Sequence, residues 1–140
     1  VIAYFDTSAI VPLLVDEQGT TAARDMWLAA DRLVSVRLAY VEARAALAQA
    51  AQVGRISPEQ LRSSTADLDG LLVQLDLVAV DDALVRPAGD LAESQGLRAY
   101  DAIHLAAALQ LIGDDLVLVA GDRALLAAAA SLGLAVAAIG

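Results

Sequence analysis

The opening residues Val1-Ile2-Ala3-Tyr4-Phe5-Asp6-Thr7-Ser8-Ala9 decide the fold. Five uncharged, largely apolar residues make a short buried strand, and Asp6, Thr7 and Ser8 all cap helices well, so strand passes directly into helix. The first helix is expected over residues 10–15, with Pro12 near its first turn. The same order returns late in the chain. An apolar strand over 116–119 is followed, after a two-residue step, by Asp122 and a helix over 124–132, and a last strand covers 134–139. Between these ends, strands over 33–36 and 77–80 alternate with helices over 18–30, 37–53, 83–95 and 99–112, and a further helix opens after Ser57. Ser57-Pro58-Glu59-Gln60 carries a cap, a proline at the first helical position and a capping-box glutamine. Gly54, Gly96 and Gly133 mark helix ends. Short apolar strands alternating with helices specify an α/β fold with a parallel sheet covered on both faces. With 140 residues and no linker, repeat or low-complexity stretch, one domain over residues 1–140 is expected.

Composition removes whole classes of chemistry. Apolar residues make up 59% of the chain and charged residues 19%, too hydrophobic for disorder. The longest apolar stretch, residues 124–139, is broken by Ser131 and Gly133 and is shorter than the ~20 residues of a crossing helix. No membrane association is expected. The start shows neither a basic leader nor a small-residue cleavage site, and cysteine is absent, so the expected location is cytoplasmic. All nine basic residues are arginine, and a chain without lysine is neither a Walker-type phosphate binder nor a Schiff-base enzyme. Without cysteine, and with His104 the single histidine, there is no thiolate nucleophile and no structural zinc set. Neither G-x-S-x-G nor G-x-G-x-x-G occurs. The chemistry therefore falls to carboxylates, hydroxyls and arginines. A net charge of -9 opposes nucleic-acid binding unless carboxylates hold divalent cations, and it suits a basic protein partner.

Four carboxylates stand out by position. Asp6 and Asp122 follow strands, and parallel α/β sheets bind ligands at the carboxyl ends of their strands. Asp101 falls in the first turn of an apolar helix, where the helix dipole favours its charge. Glu42 has Leu38, Ala39, Ala45 and Ala46 at three- and four-residue spacing, which places it in an apolar stripe where a carboxylate needs a partner. Arg44 lies about 200° away around that helix and is turned from it. A distant arginine or a metal ion remains. Two carboxylates ~5 Å apart at an effective dielectric of ~20 repel by about 3 kcal/mol, so several converging acids require a cation. Plainer roles exist for each residue. Asp6, Asp101 and Asp122 read as helix caps, Glu42 as half of a buried ion pair, and His104 as a satisfied core histidine that alternatively orients Asp101. Thr7 and Ser8 read as caps whose hydroxyls steady Asp6 or a water beside an ion. Trp27 and Tyr40 read as core or interface residues.

Four blocks then occur in register: Tyr4-Phe5-Asp6-Thr7-Ser8-Ala9; Val41-Glu42-Ala43-Arg44-Ala45-Ala46-Leu47; Gly96-Leu97-Arg98-Ala99-Tyr100-Asp101-Ala102-Ile103-His104-Leu105-Ala106; and Ala120-Gly121-Asp122-Arg123-Ala124-Leu125. Over essentially the whole chain they resemble the PIN-domain ribonuclease toxins of the VapC type. The resemblance implies a PIN-like three-layer sandwich, with a central parallel sheet of about five strands flanked by helices. It implies that Asp6, Glu42, Asp101 and Asp122 gather in one acidic pocket that binds Mg2+ or Mn2+. It also implies a homodimer, a small basic VapB-like antitoxin that blocks the site, and an RNA target such as a tRNA or a ribosomal RNA loop. Two departures stand out: Ala120 replaces the usual threonine or serine, and Pro12 replaces a residue that is commonly lysine. On this reading the chain is the metal-dependent endoribonuclease of a type II toxin–antitoxin pair. Asp6 and Asp101 are its principal metal ligands, Glu42 and Asp122 complete the site, Thr7, Ser8 and His104 support it, and Arg98 and Arg123 contact phosphate. Two competing readings are a degenerate PIN-fold binding module without nuclease activity and a metal-dependent phosphatase of small molecules. Phe5-Asp6-Thr7-Ser8 resembles a nucleophilic-aspartate motif only in part, since it lacks the second aspartate and the lysine.

Overall fold

Strands and helices alternate throughout the computed structural model, which describes residues 1–113 and 115–140. In chain order the elements are β1 (Ile2–Phe5), α1 (Thr7–Leu14), α2 (Thr20–Ala29), β2 (Arg32–Val36), α3 (Ala39–Gln52), α4 (Pro58–Gln74), β3 (Asp76–Val78), α5 (Asp82–Gln95), α6 (Ala99–Leu109), β4 (Leu116–Ala120), α7 (Arg123–Ser131) and β5 (Ala135–Ala138). The strands form one parallel sheet in the order β3-β2-β1-β4-β5. The chain leaves β1 first toward β2 and β3, then returns to the other side of β1 with β4 and β5. The order reverses between β1 and β4, and the crevice beyond the carboxyl ends of such a strand pair is where open α/β sheets bind ligands. Phe5 is in register with Val119, and the Asp6 amide extends the ladder by donating to the Val119 carbonyl at 3.0 Å.

Alternation along β1 sends Tyr4 to one face and Ala3 and Phe5 to the other. Tyr4, Val34, Val36 and Leu118 pack with Leu84 of α5, Leu105 of α6 and Leu125 of α7. Ala3, Phe5 and Val119 pack with Ile10 of α1, Ala23 of α2, Ala43 of α3 and Leu68 of α4. The result is the expected three-layer α/β sandwich. Trp27 takes its place in the second core, edge-on to Phe5 with ring centroids 5.2 Å apart. The capping box at Ser57 and Gln60 forms as read from the sequence, and Gly96 ends α5 in the left-handed conformation that favours glycine, φ 64°. Gly19 has a different reason to be glycine, because a Cβ there would stand 2.8 Å from Ile139 Cδ1 and 3.0 Å from its carbonyl.

Two expectations at the first helix are corrected. Asp6 is the N-cap, one of the three capping residues read there, but α1 begins at Thr7 instead of residue 10. Pro12 is consequently the sixth helical residue and not in the first turn, and its missing N–H frees the Ser8 carbonyl from the helical ladder. Among the described residues, no helix is long and apolar enough to cross a membrane.

Candidate active site

The inner half of the site is a buried network around His104. This imidazole is fully buried on α6, on the sheet face that Tyr4 also occupies. Its Nδ1 lies 2.9 Å from the Tyr4 hydroxyl. Its Nε2 donates to Glu42 Oε1 at 2.7 Å and lies 3.3 Å from Asp6 Oδ1. Thr7 Oγ1 donates to the same Glu42 oxygen at 2.9 Å. Burial works to lower the imidazole pKa, but the Glu42 hydrogen bond and the charges of Asp6, Glu42 and Asp101 outweigh it, and the net direction is upward. The Tyr4 phenol is pushed well above its ordinary range, first by burial and then by the Asp6 charge, so it stays neutral. Asp6 is fixed on its other oxygen. Ser8 donates to Oδ2 through its amide at 3.1 Å and its hydroxyl at 2.5 Å, and that hydroxyl accepts from the Gly121 amide at 2.8 Å. One serine thus ties the turn after β1 to the turn after β4. Ala120 contributes no hydroxyl here, and Ser8 supplies the one that joins the two strand ends.

The outer half is built on Asp101 and Asp122. Asp101 is in the first turn of α6, and Asp122 caps α7, its Oδ1 accepting from the Leu125 amide at 3.0 Å. Arg98 precedes α6 and spans the two acids, with Nε 3.1 Å from Asp101 Oδ2 and Nη2 3.1 Å from Asp122 Oδ2. Burial, then the Asp122 charge, raises the Asp101 pKa, and Arg98 only partly counters them. Arg123 is exposed at the start of α7, with no carboxylate within ion-pair distance among the described residues. Clefts of about 300 Å³ lie on two sides of this region: one lined by Val41, Glu42, Ala45 and Tyr100, the other running from Thr7 and Ser8 along Val11 and Ala46.

The donor set is one of hard oxygens, suited to Mg2+ or Mn2+ rather than to softer metals. Among the described residues, Glu42 Oε2 and Asp101 Oδ1 accept no hydrogen bond, whereas both nitrogens of His104 are engaged, so the carboxylates fit such an ion and the imidazole does not. Among the described residues, no three acidic or histidine side chains are yet drawn close enough to cage an ion.

Sequence reasoning placed these residues correctly along the chain and misassigned several of their partners. Glu42 is satisfied by His104 and Thr7, not by a distant arginine. His104 is the satisfied core histidine that was expected, and of the two readings its bonds go to Tyr4 and Glu42, with Asp6 alongside, and not to Asp101. Thr7 bonds across to α3 instead of capping its own helix, while Ser8 steadies Asp6 as anticipated. Arg44 is turned from Glu42 onto the Tyr40 ring and hydroxyl. Tyr4 was missed as a site residue. A hydroxyl inside an apolar strand was its only signal, and a neutral phenol needs just one buried partner to be at home there.

A family profile described as the PIN domain matches residues 3–132. The chain is 38% identical over 136 residues to Ribonuclease VapC45 of Mycobacterium tuberculosis strain CDC 1551 / Oshkosh, covering 97% of this chain and 94% of that one. Among solved structures it resembles PAE2754 from Pyrobaculum aerophilum, with a TM-score of 0.71 at 26% identity over 97% of this chain and 83% of the other. It also shares its fold with the structure of VapBC2 from Rickettsia felis bound to a DNA fragment from their promoter, with a TM-score of 0.66 at 13% identity over 100% of both chains.

Proposed function

The chain belongs to the PIN-domain family, in its VapC ribonuclease group, and from that premise we propose that it is a divalent-metal-dependent endoribonuclease, the toxin of a type II toxin–antitoxin pair. The observation that supports this reading is a pair of acidic couples beside the β1–β4 reversal point, Asp6 with Glu42 on His104 and Asp101 with Asp122 on Arg98. Asp6 and Asp101 are the principal ligands for Mg2+ or Mn2+, and Glu42 and Asp122 complete the set. When bound, such an ion lowers the pKa of a water and stabilises charge developing on the scissile phosphate.

The chain's own residues prepare the site. Ser8 and His104 hold the two oxygens of Asp6 in place, so little rotational freedom remains to be lost on loading. Thr7 and His104 both bond Glu42 Oε1, which aims Oε2 outward. Arg98 and Arg123 on the rim supply guanidinium donors for RNA phosphate, a role their fork geometry suits. The acidic surface matches a small basic VapB-like antitoxin and repels RNA except where cations intervene. Recognition by loop shape and exposed bases fits a tRNA or a ribosomal RNA target. A homodimer in the cytoplasm completes the assignment.

The test is incubation of the partner-free protein with total cellular RNA in Mn2+, Mg2+ or EDTA, beside Asp6→Asn, with mapping of new RNA ends. Discrete cuts that require metal and fall by about 100-fold or more in the variant are expected. Metal binding without cuts in any RNA preparation, or hydrolysis of p-nitrophenyl phosphate alone, would replace this reading with a binding module or a phosphatase.

A further inference from the structure

We infer that Arg98 is an exchangeable counter-ion: it occupies the metal's place between Asp101 and Asp122 in the metal-free protein, and loading the metal releases it to face RNA. The inference rests on the metal-dependent reading above and concerns how that site is filled. Asp122 Oδ1 is committed to the cap of α7, so Oδ2 is the oxygen it has for a cation, and Arg98 holds that atom at 3.1 Å. The same guanidinium holds Asp101 Oδ2 at 3.1 Å. A metal ion that Asp101 and Asp122 would hold competes with Arg98 for these carboxylates.

Three features make Arg98 removable. Its side chain is 80% exposed, while the acids it spans are 12% and 21% exposed, so only the cation can leave without unpacking the fold. It precedes α6 in extended backbone, φ -64° and ψ 156°, and makes no side-chain cap bond there, so the helix does not depend on it. Each bond is single rather than a two-pronged fork onto one carboxylate, the weaker arrangement for an arginine. The inner half offers a contrast, because His104 is 1% exposed and cannot exchange with solvent ions. Once displaced, the guanidinium stays tethered two residues before Tyr100 at the mouth of the site, free for phosphate.

The experiment is calorimetric titration of Mn2+ into partner-free wild type, Arg98→Gln and Arg123→Gln, without RNA. Arg123 is the control, a neighbouring charge that bonds neither acid. Loss of the competing cation is expected to tighten Mn2+ binding by roughly 3- to 30-fold in Arg98→Gln, the scale set by two partly exposed ion pairs, and by less than about 2-fold in Arg123→Gln. In parallel, Mg2+ should move the Arg98 Nε–H resonance of the wild type to that of a free side chain. Equal tightening in both variants would reduce the effect to through-space charge and overturn the exchange. Unchanged or weaker binding in Arg98→Gln, with wild type still binding Mn2+, would overturn it and leave the metal site standing. No Mn2+ binding by any of the three proteins would remove the metal site itself, and the exchange with it.

Discussion

Glu42 and Asp101 occupy matching places, each in the first turn of a helix that points its amino end at the same crevice, yet the two carboxylates are balanced by different means. Glu42 is served from within: a buried imidazole and a threonine hydroxyl meet one of its oxygens, and a tyrosine holds the far side of the ring. Asp101 is served from outside, by an arginine that water reaches freely. The difference shows how one acidic site divides its tasks. A buried, fully bonded partner fixes geometry and is costly to lose, while an exposed ion pair contributes little to folding and can change partners.

Removing the inner partner should give the largest effect on stability. In EDTA, His104→Ala is expected to lose about 3 kcal/mol, because it strands Glu42 beside Asp6 and leaves Tyr4 unbonded; urea unfolding measures it. Tyr4→Phe keeps the ring in place and removes one buried bond, with an expected loss of about 1.5 kcal/mol in the same assay.

Titration sharpens the contrast further. The folded pKa of His104 lies above its unfolded value, so its stabilisation is fully present below about pH 6.5 and disappears as pH rises through the folded value. Thermal melts of wild type in EDTA should fall over that window relative to His104→Gln. Asp101 is also shifted upward, the reverse of a salt-bridged carboxylate, so ionising it opposes folding. Asp101→Asn should melt higher than wild type at neutral pH without metal, and the gap should close as pH drops through the folded pKa toward about 3.8. The smallest effect belongs to Arg98→Gln, with no measurable change in the urea midpoint. A loss there equal to that of His104→Ala would break the comparison between the halves.

Legibility from sequence followed the range of the interactions. The Ser57 box, the Gly96 stop and the strand–Asp order at Phe5-Asp6 are local, and each was readable within a few residues. The parallel sheet followed from the alternation of elements, since parallel strands need helical crossovers, but its order β3-β2-β1-β4-β5 was not readable. Partner choice inside the site was not readable, because Tyr4 meets His104 from 100 residues away and Thr7 meets Glu42 from 35. Periodicity placed Glu42 within an apolar stripe, whereas it lies at the edge of the buried face of α3, with Ala39 and Ala43 inside and Ala45 exposed, and periodicity cannot say which element covers that face. The start of α1 was misplaced for a smaller reason. Three consecutive capping residues compete there, and only the folded backbone shows that the Asp6 carboxylate reaches the Ser8 amide.

The pairing of β1 with β4 also sets a timetable. Ile2 leaves the ribosome early and waits for Leu116 before the central strand has its second neighbour. Contacts so distant along the chain form late, and domains mature as translation delivers their parts. Until the turn carrying Gly121 and Asp122 emerges, Ser8 has no amide to bond and the crevice has one wall. The wall that carries Asp122 is therefore the last part of the crevice to form.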